Sequence, residues 1–355
     1  MYRYLKISFF SVFSLLLLMP SKAENAEIEY YLPMTEIVLD VEYEQISHEA
    51  GMFYQYAERY LGTKGVITKD EQFYRLVGIK VHTHAKADKS RVYSVTIDKK
   101  NLQNINILRT KDGRLLSVNC EAKEHSFKPA NKPSNARHDI HKNNTTILAP
   151  LQEDQMMASS TSKMAENTAK LIYRIREQRL NLLAGDTEHS PADGESMKLV
   201  LKELRQQEDA LCELFVGKTT TQRMHKQIRF VPTASISEEC LFRFSYFNGV
   251  VEPDDLSGEP VYITLVAQKT QAPEIADKKE KAPTPSPIYY NIPGSAQVKI
   301  TDENNTWADE TFLVAQFGYS QALPQDLFVK NIPQITFDFQ TGNIISIKLR
   351  NLYTY

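Results

Sequence analysis

Cysteine is scarce in this chain: Cys120, Cys212 and Cys240 are the three in 355 residues. A small, odd number excludes a disulfide scaffold, and a chain of this length can bury a core without covalent staples. A Cys212–Cys240 bridge stays open beside the alternative that the thiols are small buried hydrophobes. Motif chemistry is missing too. No serine stands in a Gly-x-Ser-x-Gly elbow, and no cysteine has a setting that would activate it. Gly217-Lys218 and Lys64-Gly65 lack the glycine spacing of a phosphate-cradling loop. Neither sign of charge dominates, with 42 Lys+Arg against 44 Asp+Glu and a formal net charge of −2. The first 23 residues hold Arg3, Lys6 and Lys22 and no acid, so removing those three charges takes the remainder from −2 to −5. Such a body has no built-in attraction for nucleic acid or anionic lipid.

Long apolar runs are absent after the first. Arg3 and Lys6 precede the run Ile7 to Met19, and Ser21-Lys22-Ala23 follows with small residues at the usual cleavage positions. This is the pattern of a secretory signal peptide cleaved near Ala23, too short for a comfortable membrane span. The expectation is an exported chain, periplasmic or on the cell surface of a Gram-negative bacterium, with no transmembrane segment in the mature part.

What remains is ordinary globular material, 42% hydrophobic, 24% charged and 10% aromatic, enough for two or three domains. The most regular stretch is 155 to 217. Met157, Thr161, Met164, Thr168, Leu171, Ile175, Gln178 and Leu182 step by four and three, the spacing of one helical stripe, and Gly185 can close it. After Ser190-Pro191-Ala192-Asp193, a start signal, Met197, Leu201, Leu204, Leu211 and Phe215 form a second stripe with Glu208 as its polar member, ended by Gly217. The short connection predicts antiparallel neighbours.

Strand signals flank this stretch. Ile37, Leu39, Val41 and Tyr43 alternate with Val38, Asp40, Glu42 and Glu44. Leu76 to Ala85 and Arg91 to Ile97 read as two strands joined by the polar turn 86–90. Ile105 to Thr110 and Arg114 to Cys120 flank the hairpin turn Lys111-Asp112-Gly113. Further strands are expected at Gln227 to Val231, Cys240 to Tyr246 and Val261 to Ala267. Others follow Ile288, closing on Gln340-Thr341-Gly342-Asn343. Two stretches have the composition of exposed connections.

The fold class this predicts is α+β, two strand-rich modules with a long antiparallel helical hairpin between them. The division runs 1–23 signal peptide, 24–123 N-terminal module, 124–150 flexible connection, 151–217 helical hairpin, 218–271 β segment, 272–287 Pro/Lys/Glu linker and 288–355 C-terminal β module. The two ends echo each other, Tyr30-Tyr31-Leu32-Pro33 against Tyr289-Tyr290-Asn291-Ile292-Pro293, with a closing hairpin each. Duplication and generic hairpin chemistry both explain that.

Candidate chemistry meets a plainer reading at each position. His82 and His84 leave the same face of a strand and could share a metal, but Lys80 shares the face and no third ligand is visible. His138 and His141 lie in the polar connection without further ligands. Asp254 and Asp255 beside Ser257-Gly258 could hold calcium, though such a turn needs no ion. The basic turn Arg174-Ile175-Arg176-Glu177-Gln178-Arg179 is read as salt-bridging Glu203, Glu208 or Asp209. Phe53, Tyr56, Ala57, Tyr60 and Leu61 share a helix face, as a sugar grip or, more plainly, as core. No catalytic residue, cofactor site or metal site is assigned.

Several longer runs together resemble a known family. They are Met157-Ala158-Ser159-Ser160-Thr161-Ser162-Lys163-Met164-Ala165-Glu166, Arg179-Leu180-Asn181-Leu182-Leu183-Ala184-Gly185-Asp186, Pro191-Ala192-Asp193-Gly194-Glu195, Tyr56-Ala57-Glu58-Arg59-Tyr60-Leu61-Gly62 and Asp254-Asp255-Leu256-Ser257-Gly258-Glu259-Pro260. With Tyr30-Tyr31-Leu32-Pro33, they resemble a family of secreted proteins of Bacteroides-type bacteria catalogued as a domain of unknown function. The resemblance implies an exported bacterial protein and carries over no catalytic residue, cofactor or substrate. The expected function is non-catalytic binding of an envelope protein or a glycan. An envelope polymer hydrolase with loop carboxylates and a self-associating structural subunit are the alternatives.

Overall fold

The structure is a computed structural model describing residues 26–97, 105–122, 160–186, 194–273, 287–324, 326–329 and 331–351. The expected signal peptide, His138, His141 and most of both expected connections lie outside them. Among the described residues 53% are strand and 23% helix. Twelve strands form three antiparallel sheets. The strands are β1 Ala26–Glu49, β2 Glu71–Ile97, β3 Ile107–Arg109, β4 Leu115–Val118, β5 Lys218–Phe230 and β6 Ile236–Ser245, then β7 Gly249–Val251, β8 Glu259–Gln268, β9 Tyr289–Thr301, β10 Thr306–Ala322, β11 Asn331–Phe337 and β12 Ile344–Asn351. The helices are α1 Ala57–Leu61, α2 Thr161–Ala184, α3 Gly194–Val216 and α4 Asp326–Val329.

This overturns the expected α+β class. The protein is mostly β, and its strands do not fall into two modules with a helical divider. Sheet order β2-β1-β5 joins the N-terminal strands to one that follows the helices. Order β12-β11-β4-β3 joins residues 107–118 to residues 331–351. The remaining sheet has order β10-β9-β8-β6-β7. Local spacing places elements, but pairing partners are set by burial, which periodicity does not report.

Alternation on β1 shows how the layers form. Ile37, Leu39 and Val41 point inward and meet Phe242, Val261, Ile263, Leu265, Val298, Ile300, Val314 and Phe317 of the five-stranded sheet. The three-stranded and five-stranded sheets thus make a sandwich, and each of these side chains contributes about 1.5–3 kcal/mol on burial. The start of β1 enters a second core, where Tyr30 and Leu32 pack with Val95, Leu115, Val118, Ile288, Leu323, Ile335 and Phe337. A third core is helical: Phe53, Ala57, Ala165, Ala169, Ile172, Ile175, Leu211 and Phe215. The Phe53 helix face is therefore core. On α2, Ser160 caps the N-terminus by accepting from the Lys163 amide, and Gly185 at φ 79° ends it. Glu208 is buried and takes Arg176 at 2.6 Å and Arg179, joining α3 to the basic turn of α2.

The polar turn expected at 86–90 is part of one strand, β2, which runs unbroken from Glu71 to Ile97. Its polar groups are satisfied from afar. Arg91 donates to Asp88 at 2.9 Å, to Asn291 Oδ1 at 3.0 Å and to the Pro33 carbonyl at 2.6 Å. Asn291, fully buried, donates in turn to the carbonyls of Ala315 and Thr341. Here β1 passes from one core to the other, and the register shifts between Tyr31 and Pro33. The β9–β10 pair carries the same break, as residues between Val314 and Tyr319 loop past the strand at Ile292 and Gly294. At both breaks a left-handed glycine of a closing hairpin accepts a strand amide: Tyr31 bonds the Gly113 carbonyl and Asn291 the Gly342 carbonyl, each at 3.0 Å. The echo between the two ends extends from sequence to geometry.

Candidate functional site

The outer face of the three-stranded sheet gathers the chemistry. It follows from the alternation that fills the core: the residues between the inward ones must point out. On the central strand β1 these are Glu36, Val38, Asp40, Glu42, Glu44, Ile46 and His48. Beside them on β2 stand Arg75, Lys80, His82, His84 and Lys86, and on β5 Arg223, His225, Gln227 and Arg229. Acids thus occupy the middle and cations both flanks.

The pairing is dense. Lys80 reaches Glu42 at 2.7 Å and Arg75 reaches Glu44 at 2.7 Å. Glu44 also has Arg223 at 3.5 Å, and Glu36 has Lys86 at 3.2 Å and Arg229 at 3.8 Å. Gln227 donates to Asp40 at 2.7 Å. The bond from Lys80 holds the Glu42 carboxyl below the ordinary glutamate range, and the bond from Arg75 does the same to Glu44. Pairs this exposed contribute about 0–1 kcal/mol each, so stability alone is a weak reason for the arrangement.

At one end of the face the ladder gives way to rings. His48 lies edge-on to Phe73 at 5.1 Å, Phe73 stacks on Tyr246 at 4.9 Å, and Tyr246 meets Phe247 at 5.0 Å in a T shape. The row forms because the β6–β7 turn docks on the edge of β2, the Tyr74 amide donating to the Tyr246 carbonyl at 2.7 Å. Gly249, at φ 72°, makes that docking possible: a Cβ there would sit 3.1 Å from the Tyr43 ring. Phe247 at the end of the row is 72% exposed and Tyr246 51%.

The sequence candidates fall unevenly on this map. His82 and His84 belong to the face, but they sit by carboxylates as members of the ladder, His82 3.3 Å from Asp40 and His84 3.8 Å from Glu36. Among the described residues no group of three or more His, Cys, Asp or Glu is arranged to hold a metal ion. Asp255 accepts from the Ser257 amide at 2.9 Å, the closed turn its sequence implies without an ion. All three cysteines are free, so no Cys212–Cys240 bridge forms. A depression of about 510 Å³ at the β3–β4 hairpin is lined by Ile107, Arg109, Thr110, Lys111, Asp112 and Gly113. Its one acid, Asp112, is bound by Thr110 and Arg114. The ring row was missed in sequence because Phe73 and Tyr246 are 173 positions apart. The signal within reach was the adjacent aromatic pair Tyr246-Phe247 at a turn.

The helices present a different surface. Their buried residues pack on each other and on the segment from Phe53 to Leu61, and the far end exposes Leu180, Leu183 and Leu199 beside a shallow depression lined by Gln178, Asn181, Leu182, Val200 and Leu204. No helix among the described residues is long and apolar enough to cross a membrane.

Comparison with known proteins adds one match. Residues 26–345 fit the family model described as Domain of unknown function (DUF4831). No curated protein and no solved structure matches the chain.

Proposed function

The chain belongs to the DUF4831 family, and from that premise we propose that it is an exported, non-catalytic binding protein of the bacterial envelope, holding a glycan or a partner protein on the outer face of its three-stranded sheet. Export is supported by the signal-peptide pattern at 1–23 and by the resemblance to secreted proteins of Bacteroides-type bacteria. The observation that carries the binding reading is the open face itself, where a ladder of charges runs into a row of exposed rings. Rings with an apolar face and neighbouring donors suit recognition of sugars and of protein side chains alike.

Binding is favoured over turnover by the state of the acids. Bonds from their neighbours hold the carboxyls of Glu42, Glu44, Asp88, Asp112, Glu166, Asp255 and Asp302 below their ordinary range. A general acid working near neutrality needs the opposite shift. The test is capture of envelope components and array glycans by the purified chain, compared with a Tyr246→Ala/Phe247→Ala variant. Loss of capture supports the face; unchanged capture moves binding elsewhere. Reproducible cleavage of an envelope polymer that is lost on changing one Asp or Glu overturns the reading in favour of a hydrolase.

One observation favours a second reading, the self-associating subunit. Leu180, Leu183 and Leu199 leave an apolar helical end without a partner. Light scattering on the wild type and on Leu183→Glu decides it, a monomer in both sinking self-association.

A further inference from the structure

We infer that the ligand of the sheet face is an anionic glycan, a polysaccharide bearing carboxylate, sulfate or phosphate groups, laid along β2 and β5 with one sugar against Phe247. The inference rests on the reading of this face as the binding surface and adds the ligand's chemistry.

It begins from the depth of the charges. The carboxylates lie low, with Glu44 and Glu36 only 10% and 14% exposed. The cations above them stand in solvent: Arg223 is 79% exposed, Arg75 65% and Lys80 64%. A polymer approaching the sheet therefore meets cationic ends first, although the body of the chain is acidic. The count points the same way, because Glu36 and Glu44 each hold two fixed cations while Asp40 is met by Gln227 and His82. Five fixed cations, Arg75, Lys80, Lys86, Arg223 and Arg229, face the four carboxylates of β1, and at the rim Glu71 pairs with Lys69 at 3.5 Å.

Geometry selects the shape of the ligand. The cations form two rails on strands flanking β1, hence roughly 10 Å apart, with a lower-lying row of acids between. Arg75 gives one terminal nitrogen to Glu44 and Arg223 approaches it through Nε alone. Each guanidinium keeps donors for a second anion, which its planar fork binds in bidentate fashion. The rings decide between polymers. A sugar presents an apolar C–H face that suits an open aromatic ring, whereas an acidic peptide brings charge without a ring to stack. Nucleic acid would bring both charge and rings, and the oligonucleotide arm of the test below separates it from a glycan.

The experiment measures binding of the full chain at low salt to polygalacturonate, heparin, neutral dextran, poly-glutamate and a single-stranded oligonucleotide. Expected is binding of an anionic glycan and none of dextran, weakened about tenfold in Lys80→Ser/Arg223→Ser and strengthened in Glu42→Gln, with thermal unfolding little changed. The Glu42→Gln gain keeps the proposal open to failure even if the double variant folds poorly. Equal binding of dextran, poly-glutamate or the oligonucleotide overturns it, as does an unchanged affinity in Glu42→Gln. If no glycan binds while Phe247→Ala still abolishes capture from native envelope, the glycan falls and the face stands. If capture persists in Phe247→Ala as well, both fall.

Discussion

Phe73 and Tyr246 lie parallel to within 4°, their ring centroids 4.9 Å apart. One belongs to an edge strand of the three-stranded sheet and the other to a turn of the five-stranded one, so the stack fastens the two layers at their rim. Tyr246→Ala removes this stacking, and the expected loss of stability is about 1–2 kcal/mol by chemical denaturation. Phe247→Ala, at the exposed end of the row, should change stability by less than about 0.5 kcal/mol. A larger loss would make Phe247 a structural residue and weaken its assignment to ligand contact.

Asn291 should be among the least replaceable polar residues. Asn291→Ala leaves two buried carbonyls without a donor and takes an acceptor from Arg91. Each orphaned group costs about 1–3 kcal/mol, so thermal unfolding should show a loss well above that of Gln297→Ala, an exposed residue bonded only to Asp309 among its side-chain contacts. Similar losses in the two variants would remove the junction between cores as a stability determinant.

Acid should loosen the sheet face. Glu42 and Glu44 have folded pKa values below the ordinary glutamate value of 4.5. A carboxyl lowered in this way adds stability that is complete above its unfolded pKa and is lost as pH falls through the folded one. Unfolding free energy should therefore decline below pH 4.5, and Glu42→Gln/Glu44→Gln should decline less steeply. Identical pH profiles would place the acid sensitivity on other carboxylates such as Asp88 or Asp302.

The helical core makes a contrast within one element pair. Leu211 is fully buried and Leu183 65% exposed. Leu211→Ala should cost about 2–5 kcal/mol, and Leu183→Ala less than about 0.5 kcal/mol. Equal effects, read by denaturation followed through helical circular dichroism, would contradict the placement of this core.

Much of the chain's local order is legible in its residues. The stripes from Met164 to Leu182 and Met197 to Phe215 mark helices, and Lys111-Asp112-Gly113 marks a hairpin. The limits are equally physical. Met164, Leu171 and Leu204 stand at stripe positions but are only partly buried, while Ile172, off the stripe, is fully buried beside the stripe residues Ile175, Leu211 and Phe215, because a two-helix layer covers less than a full stripe. The strand expected at Gln227 to Val231 starts earlier, at Lys218, because β5 is an edge strand whose side chains need no apolar partner on the outer side. Asp88 looks like a turn residue, yet it holds Arg91 within β2, and Arg91 reaches Asn291, 200 positions away. The outer sheet face was visible only as scattered acids and histidines, since its meaning depends on which strands stand side by side.

The pairing of β4 with β11 sets an order of events during synthesis. Ser117 must wait for Thr336, so the second core cannot close until almost the whole chain has left the ribosome. Connections of that span are slow to form, and Leu115 and Val118 stay unshielded until β11 is made. The second core is thus a late clasp, closed by residues more than 200 positions beyond the ones they shield.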